Sequence, residues 1–380
     1  MKKALIITTI SGFVPQFEIN NVRILQEMGY EVHYASNFEH PVYDFDTRLF
    51  ADMGIITHHF PIEKSPFHGI RNTAAFFCLK KLLQTEEFDL IHCHNPMGGV
   101  LGRLAGWLYA PGAVMIYTAH GFHFYRKAPL KNWLMYYPVE RLLAHKTDII
   151  VTINREDFER ASHFLLKKNG KVWQIPGVGL DVRRFHPEPG TRTEEKKKLG
   201  FPENSFLLLS VGELNSNKNH QAVILALAQL RDKAVFYGIC GRGKGRKKLE
   251  KLIVKEGLQD HVKLLGYRKD VESVLHGADC FIFPSRREGF GMAAVEAMAS
   301  GIPLITSDCR GTREYMMHGK TGLVCRDNSP DAYATAIEKM KTNASVRNTM
   351  GRVCRKQALQ FSKEESARVM RLVYESVQDR

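Results

Sequence analysis

Residues 279–307 read DCFIFPSRREGFGMAAVEAMASGIPLITS. An apolar strand, Asp279 to Phe283, runs into a charged loop with two glycines. A short apolar helix follows, and a second strand, Pro303 to Ser307, comes after it. Gly301 sits just past the helix and Pro303 soon after, the usual stop signals. Strand, loop, helix, strand is the repeating unit of an open α/β sheet. Such sheets bind ligands outside the carboxyl ends of their strands, where this loop carries its charge.

The helix begins without a good cap. Ser, Thr, Asp or Asn is preferred before the first turn, but the chain places Gly289-Phe290-Gly291 there. Backbone N–H groups and the positive end of the helix dipole then favour an anion such as phosphate. The glycines let it approach closely. Glu288 precedes the helix, and Glu296 follows eight residues later, about two turns or roughly 9 Å along the axis. One carboxylate on each side of a bound phosphate suits sugar hydroxyls, which donate hydrogen bonds to carboxylates. Taken alone, the two residues fit equally a solvated Glu288 and a Glu296 bonded to nearby backbone.

Outward from this segment, apolar runs recur at the spacing of βα units. The first half holds ALIITTI, EVHYAS, DLIHCH, AVMIYT, DIIVTI and KVWQIP; the second holds FLLLSVG, AVFYGIC, HVKLLG, DCFIFPS, PLITS and GLVC. Helix-like segments, among them residues 17–28, 73–83, 220–231 and 247–256, lie between them. The pattern predicts an α/β protein of two doubly wound, Rossmann-like domains. The Pro- and Gly-rich stretch PGVGLDVRRFHPEP, residues 176–189, marks the boundary. Domain 1–180 precedes it, domain 187–361 follows, and 362–380 forms a last helix.

Of 380 residues, 44% are hydrophobic and 25% charged, which is the composition of a globular protein. The start, MKKALIITTISGF, reads as a buried strand and not a signal peptide, because its apolar run is short and no small-residue cleavage site follows. No apolar run reaches the about 18 residues of a membrane span. Seven cysteines without C-x-x-C pairing fit a reduced, cytoplasmic compartment. The net charge of +14 is uneven: residues 1–180 carry 19 Lys and Arg against 16 Asp and Glu, and residues 181–380 carry 35 against 24. Anionic partners are implied, among them nucleotide diphosphates, lipid diphosphates and anionic membranes. No nucleic-acid reading module is present, so nucleic acid is not expected.

The stretch SRREGFGMAAVEAMASGIPLITSDCRGTREYMMHGKTGLV, with Gly311, Glu314, Gly319 and Gly322, resembles the nucleotide-sugar-binding segment of the retaining glycosyltransferases of family 4 type. The two glutamates are their E-x7-E element, and the resemblance extends over nearly the whole chain. It implies the GT-B fold, with two Rossmann-like domains facing across a deep cleft. The donor, a UDP-sugar, would lie on the second domain and the acceptor mainly on the first. The last helix would cross back to the first domain.

The resemblance also assigns residues. Glu288 would hold the sugar, Glu296 the ribose, and Gly289, Phe290 and Gly291 the diphosphate. Lys218, in the turn Glu213-Leu214-Asn215-Ser216-Asn217-Lys218, aligns with a diphosphate-clamping lysine. Glu213 stands where the family has an arginine, a departure; Arg242, Arg286 or Arg287 could supply the missing cation. The turn Gly266-Tyr267-Arg268 falls where the base rests, which makes Arg268 a donor-site candidate. GRGKGRKKLE does not fit a dinucleotide fingerprint; its glycines read as a strand-to-helix turn.

In the first domain Gly12 follows the first strand and could let backbone approach the ligand. His120, beside Gly121 at the end of a strand, matches a family histidine facing the donor sugar, with His123 the second choice. His92-Cys93-His94 lacks zinc-ligand spacing and a partner pair, so His94 is read as structural or acceptor-lining. No metal or cofactor is expected. Residues 126–146 mix Arg126, Lys127 and Lys131 with Trp133, Tyr136 and Tyr137. This is the composition of an anionic-membrane docking face or of a core helix with a wet rim. The segment resembles transferases of bacterial exopolysaccharide, capsule and lipid-linked glycan synthesis. Their acceptor is often a polyprenyl-diphosphate-linked saccharide, at the inner face of the plasma membrane. The alternatives are a sugar-nucleotide epimerase or hydrolase on the same fold, or a non-catalytic basic protein binding lipid or nucleic acid. Neither the sugar nor the acceptor is readable from the chain.

Overall fold

The computed structural model of the chain describes residues 1–39, 41–43 and 45–378. The chain divides into two compact units, Met1–Gly179 with Lys363–Arg380, and Leu180–Ser362.

Among the described residues the first unit is built on seven strands: β1 (Lys2–Ile7), β2 (Tyr30–Ser36), β3 (Ile56–His59), β4 (Leu90–His94), β5 (Val114–Ala119), β6 (Ile149–Thr152) and β7 (Lys171–Gln174). Their order is β3-β2-β1-β4-β5-β6-β7, and every pair is parallel. Ala4 of β1 stands opposite Val32 on one side and Leu90 on the other. The central strands are buried on both faces, which is why they read as continuous apolar runs. β3 is the exception. Its ITHH sequence lies at the sheet edge with three of four residues exposed, and no apolar run announced it.

The second unit repeats the plan with β8 (Phe206–Val211), β9 (Val235–Cys240), β10 (Val262–Gly266), β11 (Cys280–Phe283), β12 (Leu304–Ser307) and β13 (Gly322–Cys325). The order is β10-β9-β8-β11-β12-β13, again all parallel. In each unit the winding reverses between the first and fourth strand, β1/β4 and β8/β11. Those are the switch points where doubly wound sheets take ligands.

Helix Lys363–Glu375 belongs to the first unit. The Tyr374 hydroxyl lies 2.9 Å from His92 Nδ1 on β4, and Arg371 pairs with Glu27. Under the same sheet, Arg103 of helix Pro96–Tyr109 is fully buried. Its Nη2 donates to Glu140 at 2.7 Å, its Nε to the Gly99 carbonyl at 2.8 Å, and its guanidinium lies 3.9 Å over the Tyr117 ring. Glu140 stands on helix Leu130–Ala144 and also accepts from the Tyr117 hydroxyl at 3.2 Å. A buried pair contributes little net stability, but breaking it strands a charge. Glu140→Ala is therefore expected to lower unfolding free energy by about 3–5 kcal/mol. Urea titration of that variant, against a double variant with Arg103→Met that recovers much of the loss, checks the assignment.

Candidate active site

In the second unit the loops leaving β8 and β11 meet at the switch point. Lys218 Nζ sits 2.7 Å from Glu288 Oε1, with both side chains mostly buried. The ammonium also lies 4.9 Å over the Phe283 ring. Arg286 N donates to the Asn217 carbonyl at 2.8 Å, Asn217 Nδ2 to the Arg287 carbonyl at 2.9 Å, and Arg286 Nη2 to Asn219 Oδ1 at 3.1 Å. These bonds bind the lysine loop to the glutamate loop. Asn219, next to Lys218, holds φ at 53°, an uncommon conformation for a non-glycine residue.

Glu288 leads into helix Met292–Ala299, which has Gly291 at its N-cap and no side-chain cap. Gly291 takes φ +95°, and a Cβ there would stand 2.8 Å from Phe283 and 2.9 Å from the Tyr315 hydroxyl. Only glycine satisfies both the backbone and the space. Phe290 is a buried anchor, with its ring 5.7 Å from Tyr315 and 5.2 Å from Phe361. The sequence reading counted Phe290 as a donor contact; its side chain faces the core, so only its backbone remains for a ligand.

Glu296 lies one and a half turns into the helix. Burial pushes its carboxyl up to about 7; Arg184 acts against that shift and Glu272 with it. Glu213 is exposed on its turn. Arg242 is exposed with its guanidinium 4.7 Å over Tyr267, and Arg268 is forked to Asp270, with Nε 2.8 Å from Oδ1. Gly243 and Gly245 would each bring a Cβ within 2.7 Å of the Leu214 carbonyl oxygen, so the GRGKG glycines let two loops touch. In this unit the residue missed by sequence reasoning is Arg310. It is buried, and its Nε donates to the Glu288 carbonyl at 3.3 Å. Its place just beyond the carboxyl end of β12 was the available signal.

In the first unit the switch point gathers a different set. After β1 the chain turns through Phe13 into a π-helical segment, Val14–Glu18, a feature frequent at functional sites. It delivers Glu18 beside His94 at the end of β4 and His120 just past β5. Glu18 Oε1 is 3.5 Å from His94 Nδ1 and 3.7 Å from His120 Nε2, and the two imidazole nitrogens are 3.1 Å apart. Phe13 packs edge-on to His120 at 4.8 Å, and Asn21 Nδ2 donates to Glu18 Oε2. Burial dominates the electrostatics. It raises the Glu18 carboxyl to about 8, lowers His120 to about 4, and holds His94 well below the usual imidazole range, with help from the neighbouring His92 and His120. Asn95 follows His94 at φ 63° and accepts from the Thr9 N–H at 3.2 Å.

His120 and His123 share a cavity of about 170 Å³ with Asn95, Tyr117, Tyr136 and Glu140. His94 is fully buried behind His120, which corrects its reading as an acceptor-lining residue. Its sequence neighbours offered it no partner, but the fold supplies Glu18 and His120. Gly12 is also accounted for internally: a Cβ would stand 2.6 Å from the Tyr43 carbonyl oxygen, so the chain itself takes the space a ligand was expected to use. Trp133 is half-buried and packs into the core, with Arg160 4.6 Å over its ring. The outer face of helix Leu130–Ala144 is instead formed by Leu130, Leu134, Met135, Val139 and Leu142, all exposed, near exposed Arg126, Lys127 and Lys131.

Two Rossmann-like units, each an all-parallel doubly wound sheet with polar side chains at its switch point, have the architecture of the GT-B fold. The family described as Glycosyl transferases group 1 matches residues 191–357, and Glycosyltransferase Family 4 matches residues 19–177. The EpsD protein of Bacillus subtilis (strain 168), named as a glycosyltransferase, is 36% identical over 100% of this chain and 97% of its own. An Escherichia coli UDP-Gal:alpha-D-GlcNAc-diphosphoundecaprenol alpha-1,3-galactosyltransferase is 30% identical over 75% of this chain and 74% of its own. The crystal structure of Anabaena Alr3699/HepE in complex with UDP shares the fold, with TM-score 0.79 and 20% identity over 99% of this chain and 100% of that one. The chain belongs to the family 4 glycosyltransferases.

The raised Glu296 carboxyl has a definite sign in stability. A folded-state value of about 7 against an ordinary 4.5 favours folding below the ordinary value, and this contribution is lost as pH rises to about 7. Glu296→Gln is therefore expected to raise the Tm relative to the parent at pH 8 and to change it little at pH 5. Thermal melts across that range are the check, and a constant difference would contradict the assignment.

Proposed function

We propose that this glycosyltransferase moves a sugar, with retention, from a UDP-sugar to a polyprenyl-diphosphate-linked saccharide during cell-surface polysaccharide synthesis. The observation that carries this reading is the Lys218–Glu288 pair at the uncapped helix N-terminus behind Gly291. A cation from the loop after β8 and a carboxylate from the loop after β11 meet there, beside a helix end whose first backbone N–H groups carry no side-chain cap. A diphosphate at the helix end would share the Lys218 ammonium. Glu288 would then accept hydrogen bonds from the donor sugar and Glu296 from the ribose. Arg310, anchored to the Glu288 carbonyl, is the buried cation we assign to the role that Glu213 cannot fill. The UDP of the Anabaena protein and the undecaprenol-linked acceptor named for the Escherichia coli relative support donor and acceptor class.

In the reaction the bond from the anomeric carbon to the phosphate oxygen breaks, and its electron pair leaves with UDP. The acceptor hydroxyl adds from the same face, and its proton passes to the departing phosphate oxygen. Lys218 and the helix end stabilise the leaving charge, and the protein holds the acceptor hydroxyl on the face that the phosphate leaves. His120 is assigned to a hydroxyl of the donor sugar and His123 to the acceptor side. No metal or organic cofactor enters this scheme.

Among the described residues no helix is long and apolar enough to cross a membrane. A lipid-linked acceptor requires a surface contact, and we assign it to the exposed face of helix Leu130–Ala144, on the cytoplasmic side of the membrane. Apolar residues there would enter the interface while Arg126, Lys127 and Lys131 meet anionic headgroups.

A screen of UDP-sugars with purified protein is expected to find one that binds and turns over. Lys218→Ala is expected to lower kcat roughly 100–1,000-fold, and Glu288→Ala to lower it as well. Full activity in both variants would refute the site. Sedimentation with anionic vesicles is expected to weaken for Leu134→Ser with Leu142→Ser, and to become less salt-sensitive when Arg126, Lys127 and Lys131 are neutralised. Unchanged pelleting in both sets would remove the docking face.

A further inference from the structure

We propose that Glu18, His94 and His120 form a binding site for an exchangeable divalent transition-metal ion, with Zn²⁺ and Co²⁺ as the ions whose geometry it fits. The three ligand atoms make a triangle with edges of 3.1, 3.5 and 3.7 Å. Ligands about 2.0–2.2 Å from zinc at the tetrahedral angle stand roughly 3.3–3.6 Å apart. Ligands at right angles in an octahedral shell at about 2.1 Å would stand only about 3 Å apart. The mean edge, about 3.4 Å, lies within the tetrahedral range and above the octahedral spacing, so side-chain shifts of a few tenths of an ångström bring the triangle to one face of a tetrahedron.

Hydrogen bonding accounts for the cluster less well. The imidazole–imidazole edge is at hydrogen-bond distance, but both carboxylate–imidazole edges are too long. These three residues are also the one such His/Cys/Asp/Glu group among the described residues. Two imidazoles and one carboxylate leave a fourth position, as in catalytic zinc sites.

The surroundings say what kind of ion binding this is. Glu18 is held from behind by Asn21, and the π-helical turn that carries it is followed directly by helix Ile19–Glu27. Binding through Nδ1 leaves the Nε2–H of His94 outward, and that buried atom has no partner among the described residues. Permanent zinc sites normally give that N–H an acceptor. Its lack here points to a labile ion and not a structural one. His120 is the member that reaches solvent, with 18% of its side chain exposed. An ion on its Nε2 commits that atom. Metal binding fixes the ring and leaves only Nδ1 for a sugar hydroxyl, so bound metal is expected to slow turnover, a consequence that rests on the role proposed for His120 above.

The test uses the full chain, free of any affinity tag and stripped with chelator, titrated with Co²⁺. Expected is the strong visible absorption of tetrahedral Co²⁺, saturating at one ion per chain and abolished by Zn²⁺. Even outer-shell changes weaken metal sites about 10–100-fold, so Glu18→Gln and His94→Ala are each expected to weaken Co²⁺ binding at least about 100-fold. His58→Ala, which removes the ring stacked on His33, is expected to leave it unchanged. Circular dichroism establishes that each variant is folded, and the parent titration stands without them. No tetrahedral band at millimolar Co²⁺, or an equal band in folded Glu18→Gln, overturns the site. A band without Zn²⁺ inhibition of turnover overturns the link between the ion and the donor contact of His120. Failure of the transferase reading itself would leave the spectrum in place, so the two failures are separable.

Discussion

The site of the second unit depends on how Phe290 is held. Tyr315 and Phe361 grip its ring from two sides. Gly311 lies so close that a Cβ would come within 2.8 Å of Phe290 backbone atoms. These contacts leave the short loop before helix Met292–Ala299 one course. Glu288 is turned toward Lys218, and Gly291 is driven into the left-handed region at the helix start. The glycines and the buried aromatic ring are parts of one clamp. Its product is an uncapped helix end beside a cation, in apolar surroundings that strengthen both.

The two switch points use burial in opposite ways. In the second unit, charge survives because it is paired: Lys218 with Glu288, and Arg310 anchored to backbone. In the first unit, burial raises Glu18 and depresses His94 and His120, so the cluster rests as neutral groups around a shared centre. The excess of positive charge also lies in residues 181–380, the half with the Lys218–Glu288 pair. One topology thus carries a cationic cradle in one unit and a neutral donor cluster in the other.

Much of the fold was legible because buried parallel strands are apolar without interruption. Among the described residues, twelve of the thirteen strands announced themselves this way. Ile56–His59 did not, because an exposed edge strand of two histidines, a threonine and an isoleucine carries no such signal. The Glu288–Glu296 element was legible because it is local in sequence. Lys218 was legible only through resemblance, since its partner stands seventy residues away. Glu18 and Arg310 were not legible. Glu18 is one acid in a helix-like stretch, and nothing near it in sequence shows that a π turn will aim it at two histidines. Arg310 looked like one more surface cation in a basic half. Trp133 misled for a related reason: its neighbours suggested an interfacial ring, whereas the helix turns it inward and leaves leucines outside.

The bond between Tyr374 and His92 bears on how the protein matures. His92 lies on the central strand β4, wholly buried, with Thr118 on one ring nitrogen and Tyr374 on the other. The sheet around it is made from residues 2–174, which leave the ribosome early. Its last hydrogen-bond partner arrives only after Leu180–Ser362 has been made. Vectorial synthesis therefore lets the second unit assemble while the first unit still has an unsealed polar core. Until helix Lys363–Glu375 docks, water must serve the imidazole that the tyrosine later takes over.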